Sequence, residues 1–144
     1  MIRVENLRKE YGDVVALDKL SFEVPLGQVL GFLGPNGAGK STTIKILTTY
    51  VLATAGTASV AGHDVARDSF EVRRAVGYLP EHAPLYHDMT VLDYLSYAAR
   101  VRALGPRPAR RRAIARVMSI CSLFEVAGRR IGQLSKGFRQ RVGL

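Results

Sequence analysis

Cysteine is almost missing from this chain. The single residue, Cys121, excludes an internal disulfide and suits a reducing compartment. Tryptophan is absent, and aromatic residues make up only 8%. No run approaches the ~18 apolar residues of a membrane-spanning helix. The opening Met1-Ile2-Arg3-Val4-Glu5 lacks the apolar stretch of a signal peptide. His63, His82 and His87 stand at no metal-ligand spacing with cysteine or acid, and they read as surface or loop residues. Acid is also short, with 12 Asp and Glu against 21 Lys and Arg, a net charge of +9. Such a balance fits nucleic acid, acidic lipid or a phosphorylated ligand. With 47% hydrophobic residues in 144, the chain is not a disordered one and is long enough for one ordinary domain with a core.

Against these absences stands one dense motif. Residues 34–42 read Gly-Pro-Asn-Gly-Ala-Gly-Lys-Ser-Thr, which fits the phosphate-loop pattern G-x-x-x-x-G-K-[ST]. Glycines at 34, 37 and 39 allow positive φ and close approach of an anion. Successive N–H groups can then converge on phosphate oxygens. Lys40 supplies a point charge for the outer phosphates, and Ser41 a hydroxyl for Mg²⁺. The flanks suit the motif. Val29-Leu30-Gly31-Phe32-Leu33 reads as a buried parallel strand. Behind the loop, Ile44 with Leu47 and Ile46 with Tyr50 read as a helix packed on a sheet.

The rest of the first half reads as strands. Residues 2–11 and 14–24 form a hairpin around Gly12-Asp13. Residues 51–56 read as a loop ending at Gly56. Thr57–Val60 and Asp64-Val65 flank a turn at Ala61-Gly62-His63. Asp68–Arg74 reads as a short helix, and Val76–Leu79 as an apolar strand closed by Pro80. After Pro80 the character becomes helical. Glu81–Asp88 is a loop, Thr90 and Asp93 form an acidic cap pattern, and Leu92–Leu104 is a helix apolar on more than one side.

A basic helix follows Gly105-Pro106-Arg107-Pro108. Arg107, Arg110, Arg111, Arg112 and Arg116 fall on it, backed by Ile114, Val117, Met118 and Cys121 at helical spacing. Its basic side reads as a solvated face, a contact for acidic headgroups or a partner, or a nucleic-acid contact. No aromatic interleaves the arginines, which weighs against single-strand binding. Cys121 on the apolar side reads as packing.

Residues 134–144 read Leu-Ser-Lys-Gly-Phe-Arg-Gln-Arg-Val-Gly-Leu. A helix capped by Ser135 would carry Lys136, Arg139 and Arg141 near its N-terminus, where cations oppose the macrodipole. Either an anion compensates there, or the segment is a plain cationic surface helix.

The combination of GPNGAGKST and LSKGFRQRV resembles the nucleotide-binding subunits of ABC transporters, over the whole chain. The wording GYLPEHAPLY followed by LSKGFRQR is most similar to ABC-2-type exporters, including the gliding-motility-associated subgroup. The resemblance implies an α/β fold of the P-loop NTPase class. It would comprise an antiparallel β subdomain, a parallel-sheet core and a helical subdomain. As one truncated nucleotide-binding domain, 1–80 would be the β-rich ATP-binding core, 81–90 the conserved loop, 91–134 the helical part and 135–144 the start of the signature helix.

It further implies that ATP and Mg²⁺ are the cofactors. Tyr11 would stack on adenine. Gly34, Pro35, Asn36, Gly37, Ala38, Gly39, Lys40, Ser41 and Thr42 would hold the phosphates. Ser135 and Gly137 of the LSGGQ-type signature would reach a partner's γ-phosphate. Glu81 stands where the family has its conserved-loop glutamine. A carboxylate there can ligate Mg²⁺ beside Ser41, but it donates no hydrogen bond, so its catalytic role stays open. Expected partners are a second ATP-binding subunit arranged head to tail and integral membrane subunits, with no nucleic acid. The membrane contacts would run through Glu81–Asp88 and the helix around Tyr94 and Tyr97, putting the protein at the cytoplasmic side of the membrane. The chain ends at Leu144, before the family's Walker B aspartate, catalytic glutamate, D-loop and switch histidine. The expectation is therefore negligible hydrolysis by this polypeptide alone, with open sheet edges and uncovered apolar surface. A nucleic-acid-associated ATPase and a non-catalytic remnant are the other readings.

Overall fold

The computed structural model describes residues 1–81 and 83–144; His82 and its expected loop placement lie outside the described residues. The chain divides into two compact units, Met1–Gly77 and Tyr78–Leu144.

The first unit is built on a four-stranded antiparallel sheet in the order β2-β1-β3-β4. β1 (Ile2–Tyr11) and β2 (Val14–Val24) form the expected hairpin, with Tyr11 opposite Val14 across the Gly12-Asp13 turn. β3 (Ala55–Val60) pairs with the other edge of β1. β4 (His63–Asp64) closes the sheet through a two-residue turn. Ala61 and Gly62 both take positive φ, 52° and 86°, the left-handed pair that a tight right-twisted hairpin favours. His63 is therefore a half-buried strand residue rather than part of the turn.

Gly56 also departs from expectation. It lies inside β3 at φ 80°, and a Cβ there would sit 2.2 Å from the Asn6 carbonyl oxygen. Only glycine lets β3 approach β1 that closely, at the register irregularity between Glu5 and Arg8.

Alternation along the strands turns Val4, Leu7, Leu17, Ala58 and Val60 to one face. Against that face lie Ile46 and Leu47 of helix α1 (Lys40–Leu47) and Val72 of helix α2 (Ser69–Ala75). Leu7 and Ile46 are completely buried, each worth about 1.5–3 kcal/mol of transfer free energy. Ile44 and Tyr50, expected on the packed side of α1, are exposed, and Tyr50 lies beyond the helix end.

Two expected strands have no ladder. Val29–Leu33 and Val76–Leu79 pair with nothing among the described residues, so the parallel core is represented only by unpaired segments. A buried parallel strand needs hydrogen-bonded neighbours and cover on both faces. Here Val29 is fully exposed and Leu33 93% exposed, leaving bare the apolar surface that the sequence reading anticipated. Phe32 finds one partner, with its ring centroid 5.5 Å from that of Phe22.

The second unit is helical. Helix α3 (Val91–Val101) is capped by Thr90, whose hydroxyl accepts the Asp93 N–H at 3.1 Å and donates to the Asp93 carboxylate at 2.7 Å. Helix α4 (Arg107–Ile120) starts after Pro106 with a second proline in its first turn, where a missing N–H costs little. Short 3-10 helices at Phe124–Val126 and Ile131–Gln133 lead to helix α5 (Lys136–Gly143). The core comprises Val91, Met118, Leu123, Val126, Ile131, Leu134 and Val142, with Ile114 and Cys121 packed against it. Cys121 is thus a packing residue at the end of α4. α3 is less enclosed than its all-round apolar surface suggested: Val91 and Ala99 are buried, whereas Leu92 and Val101 are exposed.

Asp64 supplies a pH-sensitive joint in the first unit. Its carboxylate accepts the Ala66 and Arg67 N–H groups at 2.8 and 2.9 Å, which holds its pKa below the ordinary value. The stability this contributes is present above the unfolded carboxyl pKa of about 4 and is lost as pH falls through that region. Thermal unfolding of Asp64→Ala across pH 2.5–7 should show a flatter acid limb than the parent chain; parallel curves would show that Asp64 contributes nothing.

Candidate nucleotide-phosphate site

The first unit presents residues 34–42 as a turn leading straight into α1. Its glycines do what the spacing anticipated: Gly34, Gly37 and Gly39 have φ 156°, 86° and 80°. The Ala38 N–H bonds back to the Pro35 carbonyl at 3.2 Å, closing the loop on itself. Gly39 is the N-cap of α1, in the left-handed conformation and with no side chain capping the helix. No acidic residue occupies the first turn. An uncapped helix start presents free N–H groups and the positive end of the dipole, which together favour an anion.

Two contacts fix this geometry. A Cβ on Gly39 would lie 2.4 Å from Leu17 Cδ2 and 2.5 Å from the Ala16 carbonyl oxygen, so the start of α1 rests directly on β2. Thr43, completely buried, donates both its N–H (2.8 Å) and its hydroxyl (3.0 Å) to the Gly39 carbonyl. Neither Ala16, Leu17 nor Thr43 was singled out by the motif. Thr43 sits one turn after Gly39 and so carried a positional signal, while the β2 contact is long-range and carried none.

Lys40 folds back across the loop. Its ammonium donates to the Gly34 and Pro35 carbonyls, both at 2.6 Å. These bonds hold the charge over the loop backbone. Ser41 is exposed at the helix start, with its hydroxyl open to a ligand. Mg²⁺ retains most of its waters and needs only one or two protein oxygens beside the phosphates, so Ser41 with a nucleotide meets its requirements without a carboxylate cluster. Among the described residues there is no group of three His, Cys, Asp or Glu that could cage a metal.

Tyr11 lies at the same end of the hairpin as this loop. It pairs with Val14, two residues before the Ala16 carbonyl that abuts Gly39. The residue is 46% exposed, with the Lys9 ammonium 4.9 Å from the ring centroid. A flat, half-open aromatic face next to a cation can stack on a heterocycle.

Glu81, Ser135 and Gly137 belong to the second unit. Glu81 is exposed at the head of its loop. Gly143 of α5 lets that loop come close: a Cβ there would meet Leu79 and Ala83 at 2.9 Å. Ser135 caps α5 as expected, accepting the Phe138 N–H at 3.3 Å. Gly137 has open space where a Cβ would stand.

The cation problem at α5 is smaller than the sequence suggested. The helix has eight residues, which puts Arg141 in its last turn, where positive charge is favourable. The Arg139 guanidinium donates to the Leu134 carbonyl, and that of Arg141 lies 5.2 Å from the Phe138 ring centroid. Only Lys136 remains exposed in the first turn.

Before α3, Tyr86 meets Tyr97 edge-on at 5.5 Å and Tyr94 at 6.2 Å. A hydrogen bond with Tyr86 raises the Tyr97 pKa, and burial raises that of Tyr94, so both rings stay neutral through the physiological range. Main-chain bonds tie this loop to the far end of the unit, from Gly132 to His87 at 2.9 Å and from Ile131 to Met89 at 3.0 Å.

The comparisons with known proteins agree with the loop. The family model described as ABC transporter matches residues 17–144. The chain is 39% identical over 143 residues to the daunorubicin resistance ATP-binding protein DrrA3 of Streptomyces coeruleorubidus, covering 99% of this chain and 45% of that protein. It is 36% identical over 144 residues to the probable multidrug ABC transporter ATP-binding protein YbhF of Escherichia coli strain K12, covering all of this chain and 25% of the relative. The dimeric structure of the bacterial ABC transporter cassette MJ0796 superposes with a TM-score of 0.84 at 26% identity, covering 99% of this chain and 67% of that one. The chain therefore spans less than half the length of these two curated relatives.

Gly37 and Gly39 separate two costs. Either one replaced by alanine must hold a left-handed residue at about 1–2 kcal/mol. Only Gly39→Ala also drives a methyl into Leu17 and the Ala16 carbonyl. In urea unfolding, Gly39→Ala should lose clearly more stability than Gly37→Ala. Equal losses would contradict the seating of α1 on β2.

Proposed function

This chain belongs to the ABC transporter family, within its ATP-binding domain, and from that premise we propose that it binds magnesium-ATP at residues 34–42 as the motor part of a small-molecule exporter. The observation that carries the reading is the phosphate loop itself: left-handed glycines, an uncapped helix start and the Lys40 ammonium in one place. The free loop amides within Gly34–Thr42 bind the β- and γ-phosphates. Lys40 neutralises the outer charge, and Ser41 gives its hydroxyl to Mg²⁺. Tyr11 stacks on the adenine. Bound ATP supplies a transferable γ-phosphoryl group, and these residues orient it.

The second unit acts toward other chains in this reading. Ser135 and Gly137 at the open start of α5 face the γ-phosphate bound by a second copy, head to tail. The dimeric cassette among the similar structures supports this arrangement. Glu81 supplies an oxygen near Mg²⁺. The Glu81–Asp88 loop with Tyr94 and Tyr97 meets an integral membrane subunit, which selects the cargo. The exposed, uncharged tyrosine cluster supports that role. The relatives named for drug resistance and multidrug transport support a small-molecule cargo and a site of action at the cytoplasmic face of the membrane. No helix among the described residues is long and apolar enough to cross a membrane.

Phosphoryl transfer to water needs a group to place and deprotonate the nucleophile. The loop and the first turn of α1 carry no carboxylate, and Glu81 is assigned to Mg²⁺ rather than to the attacking water. We therefore expect this 144-residue polypeptide to bind nucleotide without turning it over.

Calorimetric titration of Mg-ATP should give saturable binding that Lys40→Ala weakens by about 1.5–3 kcal/mol, the worth of a charge-assisted contact. An unchanged affinity would remove the phosphate-loop assignment. Phosphate release by the 144-residue chain should stay at background; steady turnover abolished by Lys40→Ala would overturn the expectation of binding without turnover.

A further inference from the structure

One concavity in the second unit is not part of the nucleotide reading. It lies between α3 and α4, has a volume of about 450 Å³, and is lined by Leu92, Ser96 and Arg100 from α3, by residues of α4, and by Phe124. From α4 come Arg107, Arg110, Arg111, Ile114, Ala115 and Met118. Four arginines thus line the same cavity as apolar Leu92, Ile114, Met118 and Phe124. No carboxylate lines the cavity, and among the described residues none of the four arginines forms an ion pair. Arg110 alone is engaged, donating to the Gly105 carbonyl at 2.5 Å.

The arrangement runs against the ordinary economy of a helix. α4 has no acid in its first turn and places Arg107 and Arg110 there, against the positive end of the dipole. A simple solvated basic face would not need a concave apolar floor beneath it. Leu92 and Phe124 remain 45% and 60% exposed at this site. Planar guanidinium forks suit carboxylate and phosphate oxygens, and the volume lies within the range of small-ligand pockets. A polyanion would use the rim but leave the floor wet. A neutral apolar molecule would use the floor but leave four clustered cations unscreened.

We propose that this cavity binds a small anionic amphiphile, its carboxylate or phosphate head held by Arg107, Arg111 and Arg100 and its apolar body lying on Leu92, Ile114, Met118 and Phe124. The site is independent of the phosphate loop, and its occupant bridges α3 and α4.

Titration of the chain with monomeric dodecyl phosphate, below its micellar concentration, tests this. Calorimetry should give saturable one-to-one binding. Inorganic phosphate and dodecyltrimethylammonium, each carrying half of the required chemistry, should bind at least tenfold more weakly. Arg107→Gln with Arg111→Gln, both exposed positions, should weaken dodecyl phosphate at least tenfold while circular dichroism and the melting temperature stay unchanged. Binding of inorganic phosphate as tight as dodecyl phosphate would reduce the site to a bare anion contact. Equal binding of the ammonium would reduce it to apolar adhesion, and either result overturns the proposal. So would the absence of saturable binding, or binding lost in Lys40→Ala rather than in the arginine variant.

Discussion

The start of α1 rests on a backbone position that no other residue can fill. Gly39 is left-handed, and its missing side chain lets the helix end meet the Ala16 carbonyl and Leu17 of β2. The buried Thr43 then clamps the Gly39 carbonyl from one turn on. Loop, helix and hairpin are thereby one piece. The helix start is positioned by the sheet as well as by the loop. Lys40, tied to two loop carbonyls, adds its charge at a fixed place. A binding site built on rigid elements pays little ordering entropy when its ligand arrives.

Much of this was readable from residue order alone. The 2–11 and 14–24 strands, the Gly12-Asp13 turn, and the caps at Thr90 and Ser135 follow from local rules, because alternation and capping act within a few residues. Failures came where the deciding partner lies far along the chain. Val29–Leu33 has strand composition, yet strand identity requires a neighbour to hydrogen-bond, and the described residues offer none. Gly56 looked like the end of a loop, whereas the Asn6 carbonyl across the sheet makes it a strand residue. The left-handed glycines of residues 34–42 were legible because their turn is sequence-local. The β2 seat beneath them was not.

The excess positive charge also resolves into separate uses. Arg8 is paired with Glu10 and Asp18 within the hairpin, and Arg139 satisfies a carbonyl before α5. The paired Arg8 adds little to an external field, whereas Arg139 keeps its full charge. The uncompensated ones concentrate at the start of α4, above an apolar hollow. Net charge alone left nucleic acid, acidic lipid and a phosphorylated ligand open, and the basic helix also read as a solvated face.

The central claim is that the amides from Gly34 to Thr42 are aimed at the phosphates of a nucleotide. Amide chemical shifts of ¹⁵N-labelled chain, followed as Mg-ATP is added, test this most directly. The account predicts saturable shifts concentrated at Gly37, Gly39, Lys40, Ser41 and Thr42, with a smaller response at Tyr11. A spectrum of folded protein that leaves those amides unmoved at saturating Mg-ATP would contradict it.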